Sequence, residues 1–482
     1  MKTKREEHSE AKLKRQKLFH DHSPLDRRSR RLVEIRSECP YLDTVNPQVL
    51  QVLQESHLDK FCLVSLSNLN VYACLVCGNY YQGRDMNSHA YTHSLEANHY
   101  VYINVKTHKL YCLPDGYEIN DPSLDDVRHV LNSRCNENQA QQLDKNKQWS
   151  RAPDGSDYLP GLVVSLDISN NTDFVNATIQ SLMRVTPLRD FFLTPENYQN
   201  CRSLLVNRFG ELTQKIWHAR NFNGQVSPHE FLLAISERKF QIGVQSDPIY
   251  FMSWLLNKLH TDLGGSKGSI IYKCFQGELE AVKEIPNKSS TEKENGGDVD
   301  GATERDNVFT ETSRMRFLML GLDLPSPPSS KNVVGNSIIP EVSIYNMLKK
   351  FDGESITKVV RPTMARIRYR VTKLPPYLIL HMRRFTKNGL FIEKNPTLVD
   401  FPVKNLQLKK CIPLPAMKEN EKYDLIANIL HDGKPGEGCY RVFVEQKLEE
   451  LWYEMQDWHV AQTAFQLVAP SESYMQIYEQ KQ

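Results

Sequence analysis

Four residues narrow the folding options of this chain more than any others: Cys74 and Cys77, two residues apart, followed by His93 and His99. Two thiolates and two imidazoles complete the tetrahedron of a closed structural zinc site, and Gly78 follows the second cysteine directly. Binding at such a site contributes on the order of 10 kcal/mol or more to folding, so loss of one ligand is expected to unfold a module of about a hundred residues. A nucleic-acid-reading finger usually places about 12 residues between its second cysteine and first histidine. Here fifteen intervene, among them Tyr80, Tyr81, Gly83 and Arg84, and the chain past His99 runs into a strand-like Tyr100–Val105. A free-standing DNA finger does not explain that continuation.

The remaining cysteines fit the same picture. Of ten, Cys39, Cys62, Cys74, Cys77 and Cys112 fall in one stretch, while Cys135, Cys201, Cys274, Cys411 and Cys439 are scattered. In a reducing compartment such a cluster points to metal rather than disulfides. Sixty Lys and Arg against 58 Asp and Glu leave a formal charge of +2, too little for a global field that would hold nucleic acid or an anionic membrane. No stretch approaches 18 consecutive apolar residues and the opening MKTKREEHSE has no apolar signal core, so membrane and secreted classes are not expected.

Texture divides the 482 residues into four parts. Residues 1–36, with twelve Lys or Arg and six Asp or Glu, read as a disordered basic arm. Its Arg27, Arg28, Arg30 and Arg31 suit a nuclear-import signal, a contact for RNA or an acidic protein, or simply a solvated tail. Residues 37–135 mix apolar, aromatic and Cys/His residues into a compact module, and 136–157 are a polar linker. Residues 158–482 form one long folded region, interrupted at about 284–313 by a polar insert that cannot bury a core.

Within that region Asp247, Pro248 and the apolar Phe251, Trp254, Leu255 and Leu259 predict an N-capped amphipathic helix. Tyr377–Met382, Tyr423–Leu430, Tyr440–Val444 and Leu451–Met455 predict strands. The region is helical first and sheet-rich later, an α+β pattern.

Two resemblances add to this reading. Cys74-Leu-Val-Cys-Gly78, Ser88-His-Ala-Tyr-Thr-His93, His99 and Tyr111-Cys112 resemble the ubiquitin-protease-type (UBP) zinc finger. Several relatives hold three zincs, but Cys39, Cys112, Cys62 and His89 lack the partners for further sites, so one structural Zn2+ is expected. The resemblance also implies how a ubiquitin tail would be gripped. Arg84 fits the arginine of that pocket, Tyr111 replaces the usual tryptophan and Leu113 stands where a tyrosine is usual, which implies weak or no ubiquitin binding.

From about Leu162 to Ile477 the chain resembles the ubiquitin-specific protease family, through Asn171–Gln180, Gln245–Phe251, Leu374–Phe385 and Gly438-Cys439-Tyr440. The implied fold is papain-like, with a helical thumb and a sheet-rich palm. A thiol protease needs a thiolate, a histidine to take its proton and a group to orient that histidine. The resemblance places Asp173 at the nucleophile, Cys439 at the histidine, Gln456 at the orienting residue and Ile168 where an oxyanion-stabilising asparagine is usual. Neither Asp173 nor Cys439 can do the ancestral chemistry, and at best Gln456, with Asp457 next to it, survives as an orienting amide, so the chain is expected not to be an enzyme. Asp173 is instead expected at a helix N-terminus, accepting backbone N–H groups. Cys439 reads as an inert strand thiol, His381 and His431 as structural, and no pair of CxxC motifs marks a second zinc.

Within the family, a finger directly ahead of a protease-like domain lacking Cys and His resembles the branch that serves the spliceosome. Asn70–Gly78, Tyr111–Asp115 and Tyr423–Pro435 carry that likeness. It implies a nuclear, non-catalytic scaffold supporting tri-snRNP assembly or stability and pre-mRNA splicing through protein contacts, with snRNA a further partner of the basic arm. No membrane or small-molecule substrate is implied. A ubiquitin-binding adaptor outside splicing and an active deubiquitinase are the alternatives.

Overall fold

A computed structural model describes residues 34–46, 49, 61–124, 127, 150–151, 157–158, 160–162, 164–165, 171–217, 225–236, 239–265, 268–286, 308–326, 340–359, 365–389, 391–413, 422–456 and 459–481. The basic run Arg27–Arg31, Cys135, Ile168 and most of the linker 136–157 lie outside them; within that linker Ser150–Arg151 is strand, paired antiparallel with Asp157–Tyr158. The chain forms two compact units, Met1–Arg128 and His129–Gln482. Among the described residues no helix is long and apolar enough to cross a membrane.

The first unit holds a six-stranded sheet and, among its described elements, one α-helix. Strands β1 (Ile35–Arg36), β2 (Val71–Cys74), β3 (Tyr80–Gln82), β4 (Val101–Asn104), β5 (Leu110–Cys112) and β6 (Glu118–Ile119) run in the order β1-β6-β5-β4-β2-β3, and α1 spans His89–Glu96. Tyr72, Cys74, Tyr81, Ala90, Tyr102, Tyr111 and Leu113 form one buried cluster, and Val71, Leu75, Val101, Ile103, Leu110 and Ile119 are buried as well. Residues 35 and 36, assigned by composition to the disordered arm, instead pair in parallel with Glu118 and Ile119. Composition misses this because the pairing is made by backbone groups, with Arg36 set over the Tyr117 ring at 4.4 Å.

After short strands at Ser150–Arg151, Asp157–Tyr158 and Val164–Ser165, the second unit runs through helices α2 (Asp173–Leu182), α3 (Thr186–Leu193), α4 (Leu204–Trp217), α5 (His229–Ser236), α6 (Pro248–Asp262) and α7 (Ile270–Phe275). The predicted cap is present at α6, where Asp247 Oδ1 accepts the N–H of Ile249 at 2.7 Å and Pro248 occupies the first turn. Phe251, Leu255 and Leu259 of the predicted stripe are buried, and Trp254 packs against them half-buried.

Then come two sheets. Strands β7 (Gly277–Pro286), β8 (Val308–Phe317), β10 (Asp352–Val359) and β11 (Ala365–Lys373) form a four-stranded sheet ordered β8-β7-β11-β10. The seven-stranded sheet is β9-β12-β17-β13-β14-β15-β16, from β9 (Leu320–Asp323), β12 (Tyr377–Arg383), β13 (Tyr423–Asp432), β14 (Cys439–Gln446), β15 (Leu451–Gln456), β16 (His459–Thr463) and β17 (Ser473–Gln480). The insert is shorter than its composition suggests. Residues 284–286 and 308–313, taken as part of it, are paired strand, because the β7–β8 ladder satisfies a polar backbone as well as an apolar one.

The large sheet is buried on both faces, and its side chains sort by parity. Ile379, Val442, Val444 and Ile477 join the core beneath the helices, while Leu378, Leu380, Phe443 and Tyr478 join a second core on the other face. This explains why the strands read as continuous apolar runs rather than alternating ones. Helix α2 packs on β14 and β13, which brings the start of the first helix against the start of a strand more than 260 residues later.

Candidate functional site

In the first unit, the turn after β2 and helix α1 bring together Cys74, Cys77, His93 and His99, with all four ligating atoms within 4.8 Å of one another. Gly78 makes the turn at φ +80, its N–H donating to Cys74 O at 2.9 Å. Cys74 Sγ lies 3.6 Å from His99 Nδ1, Cys77 Sγ 3.5 Å from His93 Nε2, and the two nitrogens are 3.2 Å apart. For a tetrahedron with Zn–S of about 2.3 Å and Zn–N of about 2.0–2.1 Å, S···N edges are about 3.6 Å and an N···N edge about 3.4 Å. The donor set therefore fits zinc in chemistry and spacing. Tyr81 stacks on His93 at 4.1 Å between centroids and fixes that ring. The hydrogen bond between the thiols pushes Cys77 down to about 4 and, with burial, holds Cys74 well above the ordinary thiol value. Zinc binding requires both thiols as thiolates and so releases their protons.

Among the described residues no other group of three or more His, Cys, Asp or Glu has its ligating atoms clustered in this way. Cys39, Cys62 and Cys112 are buried free thiols. Arg84 lies 4.3 Å over the Tyr111 ring, which itself meets Tyr72 edge-on at 5.8 Å, and Leu113 is fully buried. The arginine is thus already engaged by an aromatic neighbour, and Leu113 belongs to the core rather than to a pocket wall.

In the second unit Asp173, Cys439 and Gln456 come together where α2 meets β14 and β15. Asp173 is the first residue of α2, and Thr172 is its N-cap. The carboxylate does accept a backbone N–H, but from across the fold rather than from its own helix: Tyr440 N–H donates to Oδ2 at 2.6 Å. Gln245 Nε2 donates to the same oxygen at 3.0 Å and also reaches Gly438 O at 3.4 Å. Asp173 is 7% exposed, so these bonds form away from water.

Beside them the Gln456 amide donates to Cys439 Sγ at 3.1 Å. An amide cannot accept the thiol proton as an imidazole would. His431 lies nearby, against Gly438. A Cβ built on Gly438 would lie 2.5 Å from its Cε1 and Nε2, so the ring presses on the Gly438 backbone while Phe385 and Tyr440 pack edge-on against it. Burial, then Lys394, lowers its pKa below the usual histidine value. His381, also lowered by burial, sits on β12 at the register position of Gly321 on β9.

Gln245 is the residue whose role the sequence does not announce. It belongs to a recognisable stretch, but nothing in its spacing says that it clamps Asp173. The buried Tyr474 hydroxyl, donating to Asp247 Oδ2 at 2.5 Å, is equally unannounced.

A finger with a Cys2His2 metal cluster, and a second unit in which the N-terminus of a buried helix abuts the first residues of a strand in a long antiparallel sheet, define a class: a zinc module with the scaffold of a thiol-dependent ubiquitin hydrolase. The chain belongs to the ubiquitin carboxyl-terminal hydrolase family, whose profile matches residues 166–478; a profile described as a zinc finger in ubiquitin-hydrolases and other proteins matches 62–124.

Several relatives match along almost the whole chain. Human "Ubiquitin carboxyl-terminal hydrolase 39" is 44% identical over 474 residues, covering 95% of this chain and 81% of its own. "Probable mRNA-splicing protein ubp10" of Schizosaccharomyces pombe is 34% identical, with 95% and 92% covered. "Pre-mRNA-splicing factor SAD1" of Saccharomyces cerevisiae is 26% identical, with 96% and 98% covered. Among solved structures, one described as an essential yeast splicing factor superposes with a TM-score of 0.67 at 25% identity, covering 92% of this chain and all of that one.

Proposed function

We propose that the chain is a non-catalytic component of the spliceosome that supports tri-snRNP assembly or stability, and so pre-mRNA splicing, through protein contacts in the nucleus. The observation that carries the non-catalytic part is the Asp173 carboxylate. By the family resemblance it stands at the nucleophile's position, and it is tied to Tyr440 N–H at 2.6 Å, while the neighbouring thiol of Cys439 faces the amide of Gln456. A carboxylate there forms no thioester, and the side chain that donates to Cys439 Sγ is an amide rather than an imidazole. The splicing part is supported by the relatives named for splicing, whose likeness extends over both units rather than one.

The finger holds one structural Zn2+ through Cys74, Cys77, His93 and His99, and serves as a docking module. Its Arg84–Tyr111 contact speaks against grip on a ubiquitin tail. Titrating the full chain with intact ubiquitin and with ubiquitin lacking its last two residues should show no tail-dependent binding; a tail-dependent signal would favour the adaptor reading.

The deciding experiment is affinity isolation of the tagged full chain from nuclear extract, identifying bound proteins and small RNAs, alongside incubation of the purified chain with a ubiquitin–fluorophore conjugate. Tri-snRNP proteins with their RNAs, and no fluorophore release above background, are expected. Release proportional to the chain's concentration would end the non-catalytic reading, and an isolate free of splicing components would end the splicing one.

A further inference from the structure

The four-stranded sheet of the second unit ends on an unusual edge. Strand β8 is ten residues long and outermost in the order β8-β7-β11-β10. Its register with β7 is unbroken from Gly277↔Phe317 to Pro286↔Val308. The opposite edge, β10, is interrupted by a register shift between Asp352 and Ile356. Proteins commonly blunt sheet edges with bulges, prolines, lysines or shortness. β10 has such a shift; β8 carries no proline, no lysine and no shift, and every residue from Phe309 to Arg316 is exposed. Alternate residues of such an edge turn their N–H and C=O groups away from the neighbouring strand.

The side chains say what would pair there. On one face, the register aligns Arg314 with Glu280 and Arg370, and Arg316 with Glu278 and Lys373. The first row continues to Asp352 on β10 and alternates in sign, and the second holds two cations around one anion. The β8 cation of each row is the outermost, and the Arg314 side chain is 87% exposed, its Nε 3.8 Å from Glu280. One more carboxylate beyond β8 would complete the alternation of sign in both rows. On the other face the outermost apolar groups are Phe309, 63% exposed, and Met315, 42% exposed.

We propose that β8 is a docking edge for an extended peptide that adds as a further strand, acidic at the alternate positions beside Arg314 and Arg316 and apolar at those beside Phe309 and Met315. Main-chain hydrogen bonds would supply attachment, and the two faces would supply selectivity. The interleaved carboxylates of Glu278 and Glu280 favour a peptide over a nucleic-acid strand, whose closely spaced phosphates would meet them. The inference goes beyond the splicing role and stands whether or not that role holds.

The test uses the full chain and a fluorescein-labelled peptide Gly-Ser-Val-Glu-Val-Glu-Val-Ser-Gly, with the isomer Gly-Ser-Glu-Glu-Val-Val-Val-Ser-Gly as control, read by anisotropy and by hydrogen exchange of residues 308–317. The alternating peptide is expected to bind at least about tenfold tighter than the isomer, to slow exchange in β8, and to lose about tenfold or more in affinity to Arg314→Glu/Arg316→Glu. These side chains are exposed, so the melting temperature should not move; should it move, Arg314→Gln/Arg316→Gln replaces that variant and is expected to give a smaller loss. Equal binding of the two isomers, unchanged exchange in β8, undiminished affinity of the variants, no binding by about 1 mM, or displacement of the peptide by oligouridylate would each overturn the proposal.

Discussion

Replacing Asp173 with alanine should destabilise the second unit even though the position, on a catalytic reading, would be free to change. Tyr440 N–H is buried and has this carboxylate as its acceptor at 2.6 Å. Leaving such a donor unpaired costs about 1–3 kcal/mol, and bonds to a charged acceptor lie at the upper end. Gln245 loses less, because its amide also reaches Gly438 O at 3.4 Å. Removing an acidic residue from the first turn of α2 adds about 0.5 kcal/mol. The sum is about 3 kcal/mol. At about 2.1 cal/mol/K per residue, the unit His129–Gln482 has an unfolding entropy of about 0.7 kcal/mol/K, so its Tm should fall by about 4 °C. Asp173→Asn keeps an acceptor and loses the charge, for about 1 kcal/mol. Cys439→Ala, which removes a half-buried contact with an amide, should cost no more than that. Differential scanning calorimetry of the three variants checks the ranking. An Asp173→Ala protein as stable as the parent, or more so, would mean that burying the carboxylate outweighs its bonds, and the account of this residue as a tie between α2 and β14 would be wrong.

Three further outcomes are expected. Metal analysis of the purified chain should give one zinc, and Cys77→Ser should abolish it and unfold the first unit while the second keeps its transition; two zincs, or a folded zinc-free finger, would contradict the ligand set. Asp173→Cys with Cys439→His should release no fluorophore from a ubiquitin conjugate, because Gln456 still supplies an amide and position 168 is isoleucine; brisk turnover would show that the rest of the site is intact. For His381, burial and then Arg383 hold the pKa down to about 4, with Asp247, Asp323 and Lys350 also in its surroundings. Its folded value lies below the unfolded 6.5, so stability is full above that pH and is lost as pH falls from about 6.5 towards 4, by at most about 3 kcal/mol. Urea titrations should show the parent losing about that much more than His381→Gln between pH 7 and 4.

What was legible in the sequence was whatever nearby residues write together. Cys74, Cys77, His93 and His99 span 26 positions and form one cluster, and Asp247–Pro248 with its apolar stripe starts a helix. The strands Tyr377–Arg383 and Tyr423–Asp432 show as apolar runs because both of their faces are covered. What was not legible is long-range or made by the main chain. Asp173 was expected to serve its own helix, yet its partner's N–H lies 267 residues away. The two-residue strand Ile35–Arg36 and the inner ends of β7 and β8 have the composition of solvent-exposed chain, and only a ladder partner makes them sheet.

On the proposed non-catalytic reading, the ties made by Asp173 bear on why a protein would retain this scaffold. A thiol hydrolase keeps its nucleophile and base on opposing elements within hydrogen-bond reach, yet both groups must stay open to a substrate strand, so that contact cannot be locked into a static tie. With Asp173 in place of a thiol, the same two elements are joined directly: the carboxylate on α2 takes the N–H of the residue after Cys439 on β14, and Gln245 spans from that carboxylate to Gly438. Sites that give up activity are free to gain stability in this way. On this argument, what the fold presents to partners lies outside the groove, and the exposed edge of β8 and the zinc-held finger are where contacts should be sought.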